Sequence, residues 1–273
     1  MRIYARARRR MIKYSIFAGI FCLFLLNLFF QPFVHLFPGE KVTAPQTHEA
    51  EQIFSRRELL FEDYWRLLVQ TGLGKPAVDR LRENPVQGKK LLLEIQKQYL
   101  EKRETVCRSG TLFTKQDLAE EHVKRRRILV DLEDGDILIT FCSHSFGWRH
   151  GHAGLVVDAK RGKCLEAVTP GSVSCIKNVA HWKRYGEFAV LRLEKAPASV
   201  RKKAARFALE NLTGVPYSLT SGFGKGENAA QCAYLVWRAF AHVGYDLDAD
   251  GRHPVTVKDL AGSRALSVVQ ILK

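Results

Sequence analysis

One of the six cysteines in this 273-residue chain has the surroundings of a nucleophile. Apolar residues follow Cys232 at the spacing of a helix face: Leu235, Val236, Ala239, Phe240 and Val243. We therefore expect Cys232 in the first turn of a buried helix. The unpaired N–H groups at a helix N-terminus favour the thiolate, the form of cysteine that attacks carbonyl carbon. The alternative role for this side chain is that of a small apolar core residue.

The general base that such a thiol needs is predicted upstream, on a β-strand. His152 and Gly154 lie on one face of this strand because side chains alternate along it. An antiparallel pairing with the next strand, centred near residue 160, would bring Glu166 beside Gly154 on the same face. Glu166 would then hydrogen-bond one nitrogen of His152 and leave the other to accept the thiol proton of Cys232. A solvated strand carboxylate is the alternative for Glu166, and a structural histidine that caps the sheet is the alternative for His152.

Two further residues are candidates for contact with an oxyanion or substrate. Tyr217 follows the turn sequence Gly214-Val215-Pro216, and its hydroxyl could donate to an oxyanion beside the Cys232 N–H. Packing of Tyr217 on the sheet is the alternative. Gln231 immediately precedes the cysteine and is the second candidate.

No metal and no cofactor is predicted. His144, His150 and His152 are close in sequence, but no carboxylate accompanies them at metal-ligand spacing. The chain also has no Cys-x-x-Cys pair. We expect His144 and His150 to be exposed in a loop, with the lining of a substrate cleft as the alternative.

Residues 1–37 are predicted to be a signal-anchor. Six arginines and lysines lie among the first 13 residues, and an apolar stretch continues to Phe37. Basic residues before an apolar segment place the N-terminus in the cytoplasm and the remaining chain outside it, as a single-pass membrane protein. Secretion after cleavage near Ala44 is the alternative. Residues 38–50 are predicted to be a linker.

The net charge of +15, from 43 basic and 28 acidic residues, is not accompanied by a nucleic-acid motif. We therefore predict no nucleic-acid partner. A solvated basic surface explains the charge, and affinity for anionic lipid or cell-wall polymers is the alternative.

The region 51–129 is predicted to be helical. Two apolar stripes recur at helical spacing, over residues 53–68 and 91–100, and a third short helix is expected to begin at Thr114. No catalytic spacing occurs in this region. It could serve as a juxtamembrane spacer, a dimerisation element or a lid.

The region 130–273 is predicted to be an α+β domain, an antiparallel sheet with helices gathered on one side. The expected strands are 137–141, 152–157, 163–168, 172–176, 188–193 and 266–271, and the expected helices follow Pro197 and begin at Cys232. Cys164 and Cys175 flank a turn, so they could form a cross-hairpin disulfide or remain two free thiols.

Short motifs occur in this second region in a recognisable order. They are Gly135-Asp136-Ile137, Gly151-His152-Ala153-Gly154-Leu155-Val156, Glu166-Ala167, Gly214-Val215-Pro216-Tyr217 and Gln231-Cys232-Ala233-Tyr234-Leu235-Val236-Trp237. Together they resemble the circularly permuted NlpC-type, papain-like cysteine hydrolases, closest to the YiiX/YaeF-type group of bacterial proteins. The resemblance implies a permuted NlpC-like fold over residues 130–273, with Cys232 as nucleophile, His152 as general base and Glu166 as its orienting partner. It also implies a bacterial inner membrane and periplasm for the anchored chain. Ala233 and Tyr234 depart from the serine and glutamate that often follow the cysteine in that family, and Gln231 stands where an aromatic residue is frequent.

These observations favour a membrane-anchored cysteine hydrolase of the amidase or peptidase type. Its substrate would contain an amide or acyl bond in a cell-wall peptide, a protein or a lipid. The alternatives are a lipid or N-acyl acyltransferase with the same Cys-His chemistry, and a non-catalytic binding or scaffold protein of the same fold.

Overall fold

The computed structural model describes residues 19, 22, 47–101, 105–109, 114–122, 127–145, 148–222, 228–252 and 254–273. Apart from Gly19 and Cys22, the predicted signal-anchor lies outside the described residues. No helix within the described ranges is long and apolar enough to cross a bilayer. The first described helix, α1 (Thr47–Phe54), begins inside the predicted linker.

The site is carried by an antiparallel six-stranded sheet. Its strands are β3 (Ile137–Thr140), β5 (His152–Asp158), β6 (Lys163–Glu166), β7 (Cys175–Asn178), β8 (Phe188–Arg192) and β9 (Ser267–Leu272). They are arranged in the order β7-β6-β5-β3-β8-β9. The architecture is therefore α+β, as the sequence predicts.

One face of the sheet is covered by helices from the C-terminal half of the chain. These are α5 (Ala198–Asn211), α6 (Cys232–Ala241) and α7 (Val257–Gly262). Ile137 and Ile139 of β3 pack into the core on this side, together with Leu235 and Val236 of α6. Burial of this apolar face holds the start of α6 against the sheet.

The opposite face is covered as well, by α-helices from outside region 130–273, while that region's own α-helices lie on one side as predicted. A second core joins this face to α1 and to α2 (Phe61–Thr71), α3 (Lys75–Arg82) and α4 (Pro85–Leu100). A 3₁₀-helix, Val179–Arg184, packs on the same side. Leu138 points into this second core while its neighbours point into the first. The unbroken run Ile137-Leu138-Ile139 is typical of a strand buried on both faces.

A second, three-stranded antiparallel sheet replaces the third helix that was predicted from Thr114. It contains β1 (Thr105–Ser109), β2 (Thr114–Ala119) and β4 (Ser143–Ser145), in that order. The pairing of Gln116 with Ser143 explains the error, because a contact between residues distant in sequence overrides the local helical spacing.

The turn before β3 is fixed by a buried ion pair. Asp136 is fully buried, and it accepts hydrogen bonds from Arg192 Nε at 2.7 Å and Nη2 at 2.8 Å. Arg192 also donates to Glu133 at 2.6 Å. This bidentate pair ties β3 to β8 and gives the Gly135-Asp136 motif a structural role.

All six cysteines are free thiols. Cys164 lies opposite Lys177 and Cys175 lies opposite Glu166, so the two cysteines are offset along the β6–β7 ladder. The structure contains no cross-hairpin disulfide between these two residues, and Cys175 is half-buried.

Candidate active site

His152 is the first residue of β5 and lies opposite Thr140 of β3. Gly151 precedes it with a φ of 75°, and a Cβ there would lie 2.5 Å from the Thr140 carbonyl oxygen. Only glycine accommodates both this left-handed conformation and this close approach. The glycine thus permits the turn that delivers the histidine to the end of the sheet.

The expected pairing of β5 with β6 is confirmed. Leu155 lies opposite Leu165 and Val156 opposite Cys164, which is the register centred on residue 160. In this register Glu166 comes beside Gly154, where a Cβ would meet Glu166 Cγ at 3.1 Å. His152 Nε2 donates a hydrogen bond of 2.9 Å to Glu166 Oε2.

Glu166 is 1% exposed and lies among several polar side chains. Trp182 Nε1 donates to its Oε1 at 2.8 Å, and Lys177 Nζ lies 3.6 Å from its Oε2. His181 Nε2 is 3.0 Å from Oε1, within ion-pair distance but without hydrogen-bond alignment. Burial alone would raise the pKa of Glu166, but His152 and His181 outweigh it and hold this pKa well below its usual range. Glu166 is therefore a carboxylate.

Trp182 contacts both members of the His152–Glu166 pair. Its ring stacks on the His152 imidazole with centroids 5.3 Å apart and planes 10° from parallel, while its N–H is bonded to Glu166. One fully buried side chain therefore orients both the base and its carboxylate partner.

We expect Trp182→Phe to keep the fold while loosening this arrangement. The substitution removes the indole donor from a buried carboxylate, which costs about 1–3 kcal/mol of unfolding free energy. Denaturant unfolding measures this loss. Trp237→Phe is a matched control, because the Trp237 indole donates to Asp246 at an exposed position and its loss should change the unfolding free energy by less than about 1 kcal/mol. Equal losses in the two variants would contradict the role assigned to Trp182.

Cys232 is the first residue of α6, as expected, and it is 9% exposed. Gln231 caps the helix, since its Oε1 accepts from the Ala233 N–H at 2.7 Å and its Nε2 donates to the Val255 carbonyl. The cap holds the start of the helix in place. The Cys232 N–H belongs to the first turn, whose N–H groups have no acceptor within the helix.

His152 interacts with both Cys232 and Glu166. Burial would lower the pKa of His152, but Tyr185, Cys232 and Glu166 together raise it well above its ordinary value. Because Nε2 is bonded to Glu166, Nδ1 is the nitrogen left for the thiol. Within the described ranges no aligned Sγ–N hydrogen bond joins Cys232 to His152. Hydrogen bonds of this kind are often loose before substrate binds.

The two remaining candidates are placed differently. Tyr217 packs against the core that contains Cys232, and burial, followed by the charge at Cys232, raises the pKa of its hydroxyl. The Tyr217 hydroxyl therefore keeps its proton and can donate a hydrogen bond to an oxyanion. The Gln231 amide is engaged at both ends within the fold.

The loop histidines are less exposed than expected. His150 is half-buried, with Nδ1 donating to the Gly151 carbonyl at 2.9 Å and Nε2 lying 3.1 Å from Ser145 Oγ. Burial lowers its pKa. The His144 side chain is 14% exposed. The polar sequence of this loop suggests exposure, but both imidazoles form hydrogen bonds within the fold. The expectation of exposed histidines is therefore wrong.

Sequence reasoning missed four neighbours of Glu166: Cys164, Lys177, His181 and Trp182. Strand parity could have found Cys164, which precedes Glu166 by two residues on the same face. Lys177 lies on β7, and His181 and Trp182 lie on the 3₁₀-helix that follows it. No local sequence signal predicts the register of β7 or the position of this 3₁₀-helix.

Comparisons with known proteins add one finding. No protein-family model matches the sequence, and no curated protein matches it. A solved structure, titled as the metalloprotein YiiX from Escherichia coli O157:H7, is similar over 51% of this chain and 98% of its own. The identity is 15% and the TM-score is 0.41, a likeness too low to assign a family.

Proposed function

We propose that this protein is a membrane-anchored cysteine hydrolase that cleaves an amide or related acyl bond. The observation that carries the proposal is the placement of His152 between two groups. It is hydrogen-bonded to the buried Glu166 carboxylate at 2.9 Å, and Cys232 at the start of α6 is one of the groups that raise the pKa of His152. Nucleophile, base and orienting group are the three parts that cysteine hydrolysis requires.

The acylation step follows from these positions. His152 Nδ1 takes the proton of Cys232 Sγ, and the sulfur forms a bond to the substrate carbonyl carbon. The carbonyl electron pair moves onto oxygen and then returns to expel the leaving group, which takes the proton from His152. The Glu166 carboxylate stabilises the imidazolium during this step and fixes the ring by its bond to Nε2.

The tetrahedral intermediate has two candidate donors on this chain. The Cys232 N–H lies at the helix start, and the Tyr217 hydroxyl keeps its proton beside the thiol. In the second half of the reaction, neutral His152 removes a proton from water, which attacks the thioester carbonyl. The carboxylic acid leaves and Cys232 regains its proton from His152.

The membrane attachment rests on residues 1–37, where a basic start precedes an apolar run. With that orientation the catalytic region lies outside the cytoplasm. The intact mass of protein purified from membranes should include residue 1. A mature chain that lacks the first forty or so residues would show that the segment is a cleaved signal instead.

Product analysis tests the proposed reaction. The full chain is incubated with a panel of N-acyl amides, peptides and aryl thioesters, with a free amine added as an alternative acceptor. We expect free carboxylic acid from the wild type and none above background from Cys232→Ala. Equal product from both proteins would overturn the proposal, and acylated amine in place of free acid would identify an acyltransferase.

A further inference from the structure

We propose a zinc site on the three-stranded sheet, formed by Cys107, Asp117 and His144. This site is separate from the proposed catalytic residues, and its ligands come from β1, β2 and β4. The three side chains offer one thiol, one carboxylate and one imidazole, which is a ligand set typical of Zn²⁺.

The strand register brings these residues to one face. Cys107 lies directly opposite Asp117 in the β1–β2 ladder. His144 lies opposite Lys115, two residues from Asp117, so it is the diagonal neighbour of Asp117 on the same face. The alternate face carries Leu118, which packs into the second core. The three candidate ligands therefore point away from that core and together.

The distances suit a single ion. His144 Nε2 lies 3.2 Å from Asp117 Oδ1 and 4.0 Å from Cys107 Sγ, and all three ligand atoms lie within 4.8 Å of one another. Bonds of about 2.0–2.3 Å from tetrahedral zinc to nitrogen, oxygen and sulfur place neighbouring ligand atoms roughly 3.2–3.6 Å apart. A small movement of the exposed Cys107 side chain closes the set.

Arg149 prepares the carboxylate for this role. Its Nη1 lies 2.7 Å from Asp117 Oδ2, which leaves Oδ1 directed to His144. Outer hydrogen bonds of this kind commonly orient metal-ligating carboxylates. Zinc binding would release the Cys107 thiol proton and require neutral His144.

The ion would link the β1–β2 hairpin to β4. Ser145, the last residue of β4, shares a hydrogen bond with His150, and the proposed base His152 lies two residues after His150. The site would therefore brace the segment that carries the proposed base without sharing a residue with the proposed catalytic set. An open fourth position would be left for water, as three protein ligands imply.

Zinc titration of the full chain tests the proposal, with metal first removed by a chelator. We expect one Zn²⁺ per chain by calorimetry, and a thiolate-to-metal charge-transfer band when Co²⁺ is used in its place. Cys107→Ser and His144→Gln should each weaken zinc binding at least about tenfold. Cys164→Ser is the matched control, because Cys164, Glu166 and His181 form another Cys-acid-His group whose loss should leave this binding unchanged.

A second measurement uses the wild type alone and does not depend on the folding of variants. One equivalent of zinc should slow alkylation of Cys107 at least about tenfold while leaving Cys175 unaffected, as mapped by peptide mass spectrometry. Absence of stoichiometric zinc, or no protection of Cys107, would overturn the proposal. Binding that is lost in Cys164→Ser and kept in Cys107→Ser would also overturn it.

Discussion

Replacing His152 with alanine should slow the alkylation of Cys232 by iodoacetamide at pH 6.5 by about tenfold to 100-fold. An ordinary thiol is only about 1% thiolate at that pH. The raised pKa of His152 means that its imidazolium persists near neutral pH and can stabilise the thiolate beside it. A stabilised thiolate is less nucleophilic than a basic one, which sets the lower end of the range.

The pH dependence of Cys232 alkylation should also differ between wild type and His152→Ala. The imidazolium charge is lost as pH rises through the raised pKa of His152, so the difference in alkylation rate between wild type and His152→Ala should shrink at alkaline pH. Cys107 is exposed, and in chelator-treated protein it provides an internal reference whose rate should not change. Identical Cys232 profiles in the two proteins would show that the imidazole does not act on the thiol.

Removing the Glu166 carboxylate should cause the largest loss of stability. Glu166→Ala deprives buried His152 of its charged partner and leaves the Trp182 indole N–H unpaired, so we expect a loss of about 3–5 kcal/mol in unfolding free energy at pH 6. Glu166→Gln preserves the shape and should cost less. Glu83→Gln is the control, since Glu83 forms an exposed pair with Arg80 and its loss should cost less than about 1 kcal/mol.

The difference in unfolding free energy between wild type and Glu166→Gln should depend on pH, because two groups have pKa values shifted in opposite directions. The lowered pKa of Glu166 contributes stability that is present above about pH 4.3, the ordinary value, and is lost as pH falls towards the folded value. The raised pKa of His152 contributes stability that is present below about pH 6.5 and is lost as pH rises through the folded value. The difference between wild type and Glu166→Gln should therefore be largest between about pH 4.3 and 6.5. A difference that grows steadily above pH 8 would contradict the pairing.

The relation of His152 to Glu166 could be predicted from sequence because two short-range rules determine it. Side chains alternate along a strand, and a short turn between adjacent strands leaves few registers that keep both apolar faces buried. The helix at Cys232 could be predicted from its apolar spacing. Each of these signals lies within one element or one hairpin.

The errors occur where distant segments determine the local structure. The β1–β2 hairpin pairs with β4, about 30 residues further on in the chain, and nothing within 105–119 indicates that partner. Trp182 reaches Glu166 from a 3₁₀-helix whose short sequence has no apolar periodicity. The N-terminal helices cover the opposite face of the six-stranded sheet. Their apolar spacing shows which side of each helix is buried, but it does not show that the sheet is what they pack against.

Trapping an acyl-enzyme tests the central claim most directly. Wild type and His152→Ala are exposed briefly to p-nitrophenyl acetate, quenched in acid and digested, and the acetylated cysteines are mapped by mass spectrometry. We predict a thioester on Cys232 of the wild type that forms within the first turnover and then decays, with little acetylation of Cys232 in His152→Ala. Equal acetylation of Cys232 in both proteins, or acetylation confined to Cys107, would contradict a catalytic site formed by Cys232, His152 and Glu166.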